Sequence, residues 1–121
     1  MIRNKSGVWG EVFAARYLRD NGYKIITSNY VCRFGELDLV ASKDGTVCIV
    51  EVKARNKDTD IRPMEAVDEG KQERLRMAAK SFLSYSKIQG EIRFDVCEVY
   101  LDDNLNLSGI NYIKNAFEVM K

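Results

Sequence analysis

The amino-acid sequence predicts an α/β domain in which a central mixed β-sheet is flanked by helices, in the order α-β-β-β-α-β-β. Three observations support this fold class. Two segments carry apolar residues at helical spacing, five are rich in strand-forming residues, and a hairpin turn joins two of the strands. The length of 121 residues and the apolar fraction of 45% suit a single domain over residues 1–121 with a hydrophobic core.

The first helix is predicted over residues 7–21, because apolar residues recur there at helical spacing and Gly22 follows its end. Ser6 is the candidate N-cap. The next segments predict three strands, over residues 23–29, 36–42 and 46–53. Asp44-Gly45, between the last two strands, is typical of a two-residue hairpin turn.

The second half of the chain is predicted to contain a loop, a helix and two more strands. Residues 54–62 are polar and predict an exposed loop, and residues 68–85 predict a long helix with an apolar stripe. Strands are predicted over residues 91–101 and 105–113. The tail after Lys114 is predicted to be a short helix.

The composition excludes several kinds of chemistry. The sequence has no histidine, which excludes serine–histidine and cysteine–histidine nucleophile pairs and every histidine metal site. Its three cysteines include no Cys-x-x-Cys pair and are interpreted as reduced apolar residues of a cytoplasmic protein. No apolar stretch is long enough to span a membrane, and the formal net charge of +1 does not by itself indicate a nucleic-acid partner.

Charges interrupt the predicted hairpin where a buried strand should avoid them. Because strand side chains alternate between faces, Glu36, Asp38 and Val40 are expected to share one face of their strand. Leu37 and Leu39 are expected to take the opposite face. Charge near the end of an otherwise apolar strand is where a functional cleft is expected in an open α/β sheet.

Glu51 and Lys53 share a face of the next strand, which is apolar on both sides up to that point. A two-residue turn sets Asp38 directly opposite Glu51, with β-carbons about 4.5–5.5 Å apart. Two carboxylates about 4 Å apart repel by roughly 4 kcal/mol at an effective dielectric constant of about 20. Either one carboxylate is therefore protonated or a cation lies between them.

Two acids and a lysine without histidine suit Mg²⁺, a hard cation that takes oxygen ligands and keeps several water molecules. Such a site can polarise a phosphodiester and activate water. The same charges fit a second interpretation, in which Glu51 forms solvated ion pairs with Lys53 or Arg55 at the end of the strand.

These residues also resemble a known signature. Asp38, followed across a hairpin by Glu51-Val52-Lys53, is similar to the Asp…(Asp/Glu)-x-Lys signature of the restriction-endonuclease-like nuclease superfamily. Over nearly the whole chain, the segments GEVFAARYL, GYKIITSNY, GELDLV, IVEVKAR, GKQERLRMAAKSFL and RFDV resemble the bacterial YraN-like family, which is related to archaeal Holliday-junction resolvases. Leu37 stands where the superfamily signature often has proline.

The resemblance implies a restriction-endonuclease-like fold and a Mg²⁺-dependent DNA endonuclease, in which Mn²⁺ can substitute. Branched DNA is the implied substrate, and a homodimer would suit its two-fold character. Asp38, Glu51 and the Val52 carbonyl are the implied metal ligands. Lys53 would orient or deprotonate the attacking water, and Glu11 matches an acidic residue brought toward the metal.

Several other residues keep two interpretations each. Glu36 is either an acid that supports the metal ligands or an exposed edge charge, and Glu11 is alternatively an ordinary acid of the first helical turns. Lys71 and Gln72 either face a phosphate at the start of the long helix or form a solvated face. Asp95 is expected to be structural and paired with an arginine.

The best candidate for DNA contact is the basic run that begins at Lys53, includes Arg55 and Lys57, and continues at Arg62. Four basic residues of the long helix would extend it: Lys71, Arg74, Arg76 and Lys80. Trp9 and Tyr30 either stack on bases or pack in the core or at its rim. The alternative function is a non-catalytic module on the same fold, which binds DNA or a protein partner without cutting it.

Overall fold

A computed structural model describes residues 5–57 and 67–120 of the chain. Within these ranges the chain forms α1 (Lys5–Asp20), β1 (Lys24–Cys32), β2 (Gly35–Lys43), β3 (Thr46–Asn56), α2 (Glu69–Ser86), β4 (Glu91–Leu101) and β5 (Leu107–Phe117). The predicted α/β fold class and the predicted order of elements are confirmed. No helix in these ranges is long and apolar enough to span a membrane.

The five strands form one mixed sheet in the order β1-β2-β3-β4-β5, which is also their order along the chain. Neighbouring strands are antiparallel except β3 and β4, which are parallel. A parallel pair needs a crossover connection, and α2 lies in that connection. The sheet therefore consists of an N-terminal meander and a C-terminal hairpin, joined through α2.

The two helices cover opposite faces of the sheet, and β3 is buried between them. Cys48 and Val50 lie in the core cluster that contains residues of α1, whereas Val47 and Ile49 lie in the cluster that contains residues of α2. All four side chains are buried. The interpretation of this strand as apolar on both faces is confirmed, because alternate side chains enter the two halves of the core.

The β2–β3 hairpin has the predicted turn. Asp44 and Gly45 both have positive φ angles, of 50° and 82°. This conformation matches the right-handed twist of the flanking strands, and glycine adopts it without steric cost. Lys43 pairs with Thr46 across the turn, so the hairpin keeps the register expected from a two-residue loop.

Two stretches that were predicted to lie outside the sheet belong to it, and Ser6 lies inside α1 instead of capping it. The tail is not a helix, because β5 continues to Phe117, whose ring stacks on Phe94 with centroids 4.8 Å apart. β3 continues to Asn56, which pairs with Leu101, so the first part of the predicted loop belongs to the sheet. The remainder of that loop from residue 58, including Arg62, lies outside the described residues. Pairing with β4 explains both extensions, since it satisfies backbone groups that a loop would leave to water.

Candidate functional site

The candidate site lies where β2 and β3 separate. The last pair of their ladder is Leu39 with Val50, one position before Asp38 and Glu51. There the Val52 backbone N–H donates a 2.9 Å hydrogen bond to the Asp38 carboxylate. An oxygen of the Asp38 side chain thus takes the place of a β2 backbone carbonyl as the acceptor for this N–H. Asp38 and Glu51 lie at neighbouring positions on the two strands, as the register predicts.

The regular alternation of side chains along β2 breaks at Asp38. Leu39 packs in the core cluster on the α1 side, but Leu37 packs in the cluster on the α2 side. The prediction that these two leucines share a face is therefore wrong. Asn29 of β1 lies between the residues that pair with them, and its positive φ of 54° marks a local irregularity in both strands.

Three carboxylates converge at this irregularity. Oxygen atoms of Glu11, Glu36 and Asp38 all lie within 4.8 Å of one another. Glu11 comes from α1 and is almost buried, whereas Glu36 is exposed at the start of β2. The structure thus brings both of these candidate acids to Asp38.

Gly10 allows α1 to come close enough to deliver Glu11. A β-carbon added at Gly10 would lie 2.8 Å from the Ala54 β-carbon on β3, which is shorter than two such atoms can approach. This role was missed by the sequence analysis. The signal was a glycine inside a helical pattern, which often marks a close contact between backbones.

Glu51 lies beside two ammonium groups. Its side chain is buried, and its Oε1 atom is 2.9 Å from Lys71 Nζ and 3.7 Å from Lys53 Nζ. Lys53 follows on the same strand, whereas Lys71 comes from the first turn of α2. Asp68 caps that helix by accepting a 2.8 Å hydrogen bond from the Lys71 backbone N–H, which fixes where α2 begins.

Burial and neighbouring charges shift the pKa values of three side chains at the site. Burial and the Glu51 charge raise the pKa of Asp38 from 3.8 to about 7, although the Val52 hydrogen bond opposes this. Burial lowers the pKa of Lys53, and the neighbouring Lys71 lowers it further. For Lys71, burial acts to lower the pKa, but the Glu51 charge and the hydrogen bonds leave it raised.

The arrangement offers oxygen ligands without nitrogen or sulfur. Carboxylates from α1, β2 and β3 meet in a partly buried place, where burial first, and then repulsion from Glu51 and Glu36, keep the pKa of Asp38 high. A hard divalent cation accepts such ligands and relieves this repulsion. The residues that can hold one are Glu11, Glu36, Asp38, Glu51 and the carbonyl group of Val52.

Other candidates from the long helix take structural positions. Gln72 donates from Nε2 to the Val67 carbonyl at 3.0 Å and accepts a hydrogen bond from Arg76. Arg76 is buried and donates from Nε to the Glu118 carbonyl at 2.8 Å. The prediction that Arg76 extends a DNA-binding surface is therefore wrong, whereas Arg74 and Lys80 are exposed.

The basic run continues along β3 from Lys53. Arg55 is half-buried, and its Nε atom has no hydrogen-bond partner within the part of the chain that the structure describes. Lys57 is exposed just beyond the strand, where its backbone N–H donates to the Leu101 carbonyl at 2.8 Å. These side chains lie on or just past the strand that carries Glu51, four and six residues beyond it.

The remaining candidates are structural or partly so. Tyr30 shares a 2.8 Å hydrogen bond with Ser81 and packs against the α2 side of the core, which supports its interpretation as a core or rim residue. Trp9 is partly exposed, with its ring 5.9 Å from that of Phe13. The expected pairing of Asp95 with an arginine is confirmed by two 2.9 Å hydrogen bonds from Arg93.

Comparison with known proteins identifies the family. Residues 10–99 match the family model described as "Uncharacterised protein family UPF0102". The chain belongs to this family. It is 46% identical over 117 residues to the UPF0102 protein of Syntrophomonas wolfei, covering 96% of this chain and 100% of the relative. It is 40% identical over 118 residues to the UPF0102 protein of Moorella thermoacetica, and the match covers 97% of this chain and 98% of the relative.

The predicted resemblance to YraN-like proteins is confirmed at the level of the UPF0102 family. The candidate site lies entirely within the segment that the UPF0102 model matches. This segment contains every acid and amine of the site: Glu11, Glu36, Asp38, Glu51, Lys53 and Lys71.

Proposed function

We propose that this UPF0102 protein is a Mg²⁺-dependent DNA endonuclease that hydrolyses phosphodiester bonds, with branched DNA of the Holliday-junction type as its substrate. One observation carries the proposal: Asp38 and Glu51 converge beside Lys53 where β2 and β3 separate. This acid–acid–lysine set and the order of elements support a place in the restriction-endonuclease-like nuclease superfamily.

The donor set fits a divalent cation. Burial and the Glu51 charge raise the pKa of Asp38 to about 7, and a cation between the two carboxylates removes that repulsion. Asp38, Glu51 and the Val52 carbonyl would hold the cation, with Glu11 and Glu36 beside Asp38. When bound, Mg²⁺ supplies positive charge that polarises the phosphodiester and lowers the pKa of water, and Mn²⁺ can substitute.

The chain's own residues position the reacting groups. The Val52 N–H holds the Asp38 carboxylate, and the strand pairing of β3 holds Glu51. Burial lowers the pKa of Lys53, so Lys53 gives up a proton more readily than a solvated lysine. Lys53 is therefore suited to orient the attacking water or accept its proton.

Cleavage assays on matched variants test the proposal. Linear, single-stranded, flapped and four-way DNA are incubated with Mg²⁺ or Mn²⁺ and each purified protein. We expect the wild type to cut four-way DNA, and Asp38→Asn and Glu51→Gln to fold but not cut. The control variant Asp44→Asn changes an exposed acid on the same hairpin and should cut normally. Cleavage that persists in both site variants contradicts the site, and a wild type that cuts no substrate contradicts the activity.

A homodimer would place two such sites on a two-fold junction, so that paired cuts follow from symmetry. Light scattering with and without four-way DNA tests this part of the proposal. If the protein cuts four-way DNA but only one chain binds each junction, the proposed dimer is contradicted and the nuclease proposal is left intact.

A second candidate is a non-catalytic module that binds DNA or a protein partner. The observation that favours it is the pairing of Glu51 with Lys71 and Lys53, which compensates one acid without a metal ion. Calorimetric titration with Mg²⁺ and Mn²⁺ separates the two functions. Absence of binding at millimolar metal, with and without DNA, favours the module.

A further inference from the structure

Two ammonium groups share one oxygen of Glu51 in this structure. Lys71 Nζ is 2.9 Å and Lys53 Nζ is 3.7 Å from the same Oε1 atom. The side chain of Glu51 is only 8% exposed, so solvent compensates little of its charge. Lys71 makes the shorter contact and is the principal counter-ion of this carboxylate.

Lys71 is also the more exposed of the two amines. Its side chain is 32% exposed, compared with 14% for Lys53. The start of α2 does not depend on the ammonium group of Lys71, because the cap at Asp68 binds the backbone N–H of the same residue. The flexible stem of Lys71 can therefore carry its ammonium away from Glu51 without moving the helix.

We infer that Lys71 is an exchangeable counter-cation: it neutralises Glu51 while no divalent cation is bound, and a divalent cation displaces it. The inference rests on the proposed function, since it concerns the same site. An ammonium group and a divalent cation repel each other at one carboxylate oxygen, so each weakens the binding of the other.

The exchange also makes Lys71 available to the substrate. Once released, its ammonium lies next to the site, where it can bind a phosphate oxygen of DNA. Phosphate binding would then remove the competitor of the metal, so metal and DNA each strengthen the binding of the other through Lys71. Metal affinity is therefore lower in the free protein than in the DNA complex.

Calorimetric titration of the metal-free full chain with Mn²⁺, without DNA, tests the exchange. We expect Lys71→Met to bind Mn²⁺ at least roughly fivefold more tightly than the wild type, because its competitor is gone. Lys71→Arg keeps the positive charge and should bind as the wild type does. Lys80→Met removes an exposed lysine from the same helix and is the matched control. Lys71→Gln repeats the test if the methionine variant does not fold.

The direction of the change distinguishes exchange from a structural role. If Lys71 only braced α2 against β3, removing it would loosen the site, and Mn²⁺ affinity would stay the same or fall. Either result overturns the inference, while cleavage by the wild type would leave the proposed function intact. If the wild type binds no Mn²⁺ with or without DNA, both the proposed function and the exchange are contradicted.

Discussion

The Val52 backbone N–H lies 2.9 Å from the Asp38 carboxylate and donates to it. Val52 belongs to the strand that also carries Glu51 and Lys53, and it pairs with Cys97 on its other side. The hydrogen bond therefore ties the position of Asp38 to the buried part of the sheet. The acid is fixed by the strand of its partner acid as well as by its own.

The stability of the metal-free protein should depend on the protonation of Asp38. Its pKa is raised from 3.8 to about 7 by burial and by Glu51, so the folded state holds a proton that the unfolded chain releases between these values. Stability therefore falls as pH rises through this interval, and the penalty is complete above it. We expect a loss of at most about 4 kcal/mol from this group, since each pKa unit between 3.8 and about 7 is worth about 1.4 kcal/mol.

Urea denaturation of Asp38→Asn measures this penalty. Asparagine keeps an acceptor for the Val52 N–H and carries no charge, so the variant should be more stable than the wild type at about pH 8 in chelator. The advantage should shrink as the pH falls towards about 4 and disappear well below the unfolded pKa of 3.8, where the aspartate is protonated in both states. Saturating Mg²⁺ should also reduce the stability advantage of the variant over the wild type. An equal pH dependence for variant and wild type would contradict the prediction.

Gly10→Ala should destabilise the protein by about 1–3 kcal/mol, which is typical of overpacking. The added β-carbon would lie 2.8 Å from Ala54, so α1 must move away from β3 and carry Glu11 with it. Thermal unfolding measures the loss. Gly70→Ala is the control, because a β-carbon there meets nothing closer than 3.5 Å and helix propensity should improve stability.

A second substitution tests whether the contact between α1 and β3 is the cause. Adding Ala54→Gly to Gly10→Ala removes the clashing β-carbon, so we expect part of the lost stability to return. If the double variant is as unstable as the sum of the two single variants, the contact does not explain the effect.

Asp95 should be essential for stability but not for chemistry. It is fully buried and accepts hydrogen bonds from Arg93, from the Tyr112 hydroxyl at 2.6 Å and from the Asn115 N–H at 3.1 Å. Asp95→Ala leaves these donors unpaired, and we expect a loss of about 3–5 kcal/mol in urea denaturation. Asp20→Ala, at the exposed end of α1, should change stability little. A small loss for Asp95→Ala would contradict the structural role.

The salt dependence of DNA binding should show whether the basic residues that follow Lys53 contact phosphate groups. If Lys57 contacts a phosphate, Lys57→Ala should weaken binding to all sequences and reduce the slope of log affinity against log salt by about 1. Lys24→Ala changes an exposed lysine near the hairpin turn at the other end of the sheet and should leave the slope unchanged. Fluorescence anisotropy over a range of salt concentrations measures both slopes. Equal slopes for wild type and Lys57→Ala exclude Lys57 from the interface.

The sequence predicts the backbone of the site well, because the site depends on local chemistry. The pair Asp44-Gly45 determines the turn, and a two-residue turn determines which residues face each other across the hairpin. The meeting of Asp38 with Glu51 follows from counting residues outward from that turn. Glu11 could be placed there only through the family resemblance, since no local rule determines where α1 packs.

The features that were missed depend on distant parts of the chain. Leu37 changes face at an irregularity that involves Asn29 of another strand, and alternation within one strand cannot reveal it. The pairing of Glu51 with Lys71 depends on how the crossover helix docks. The tail forms a strand because β4 offers an open edge, and a short isolated segment does not encode that partner.

The parallel pairing of β3 with β4 has a kinetic consequence. A short hairpin brings Asp38 to Glu51 early in folding, whereas Lys71 reaches Glu51 only after the long crossover has closed. Two like charges therefore meet in the nascent hairpin with only the ammonium of Lys53 beside them, before that of Lys71 arrives. Stopped-flow refolding should be faster at about pH 5 than at about pH 8, and Asp38→Asn should lose this acceleration.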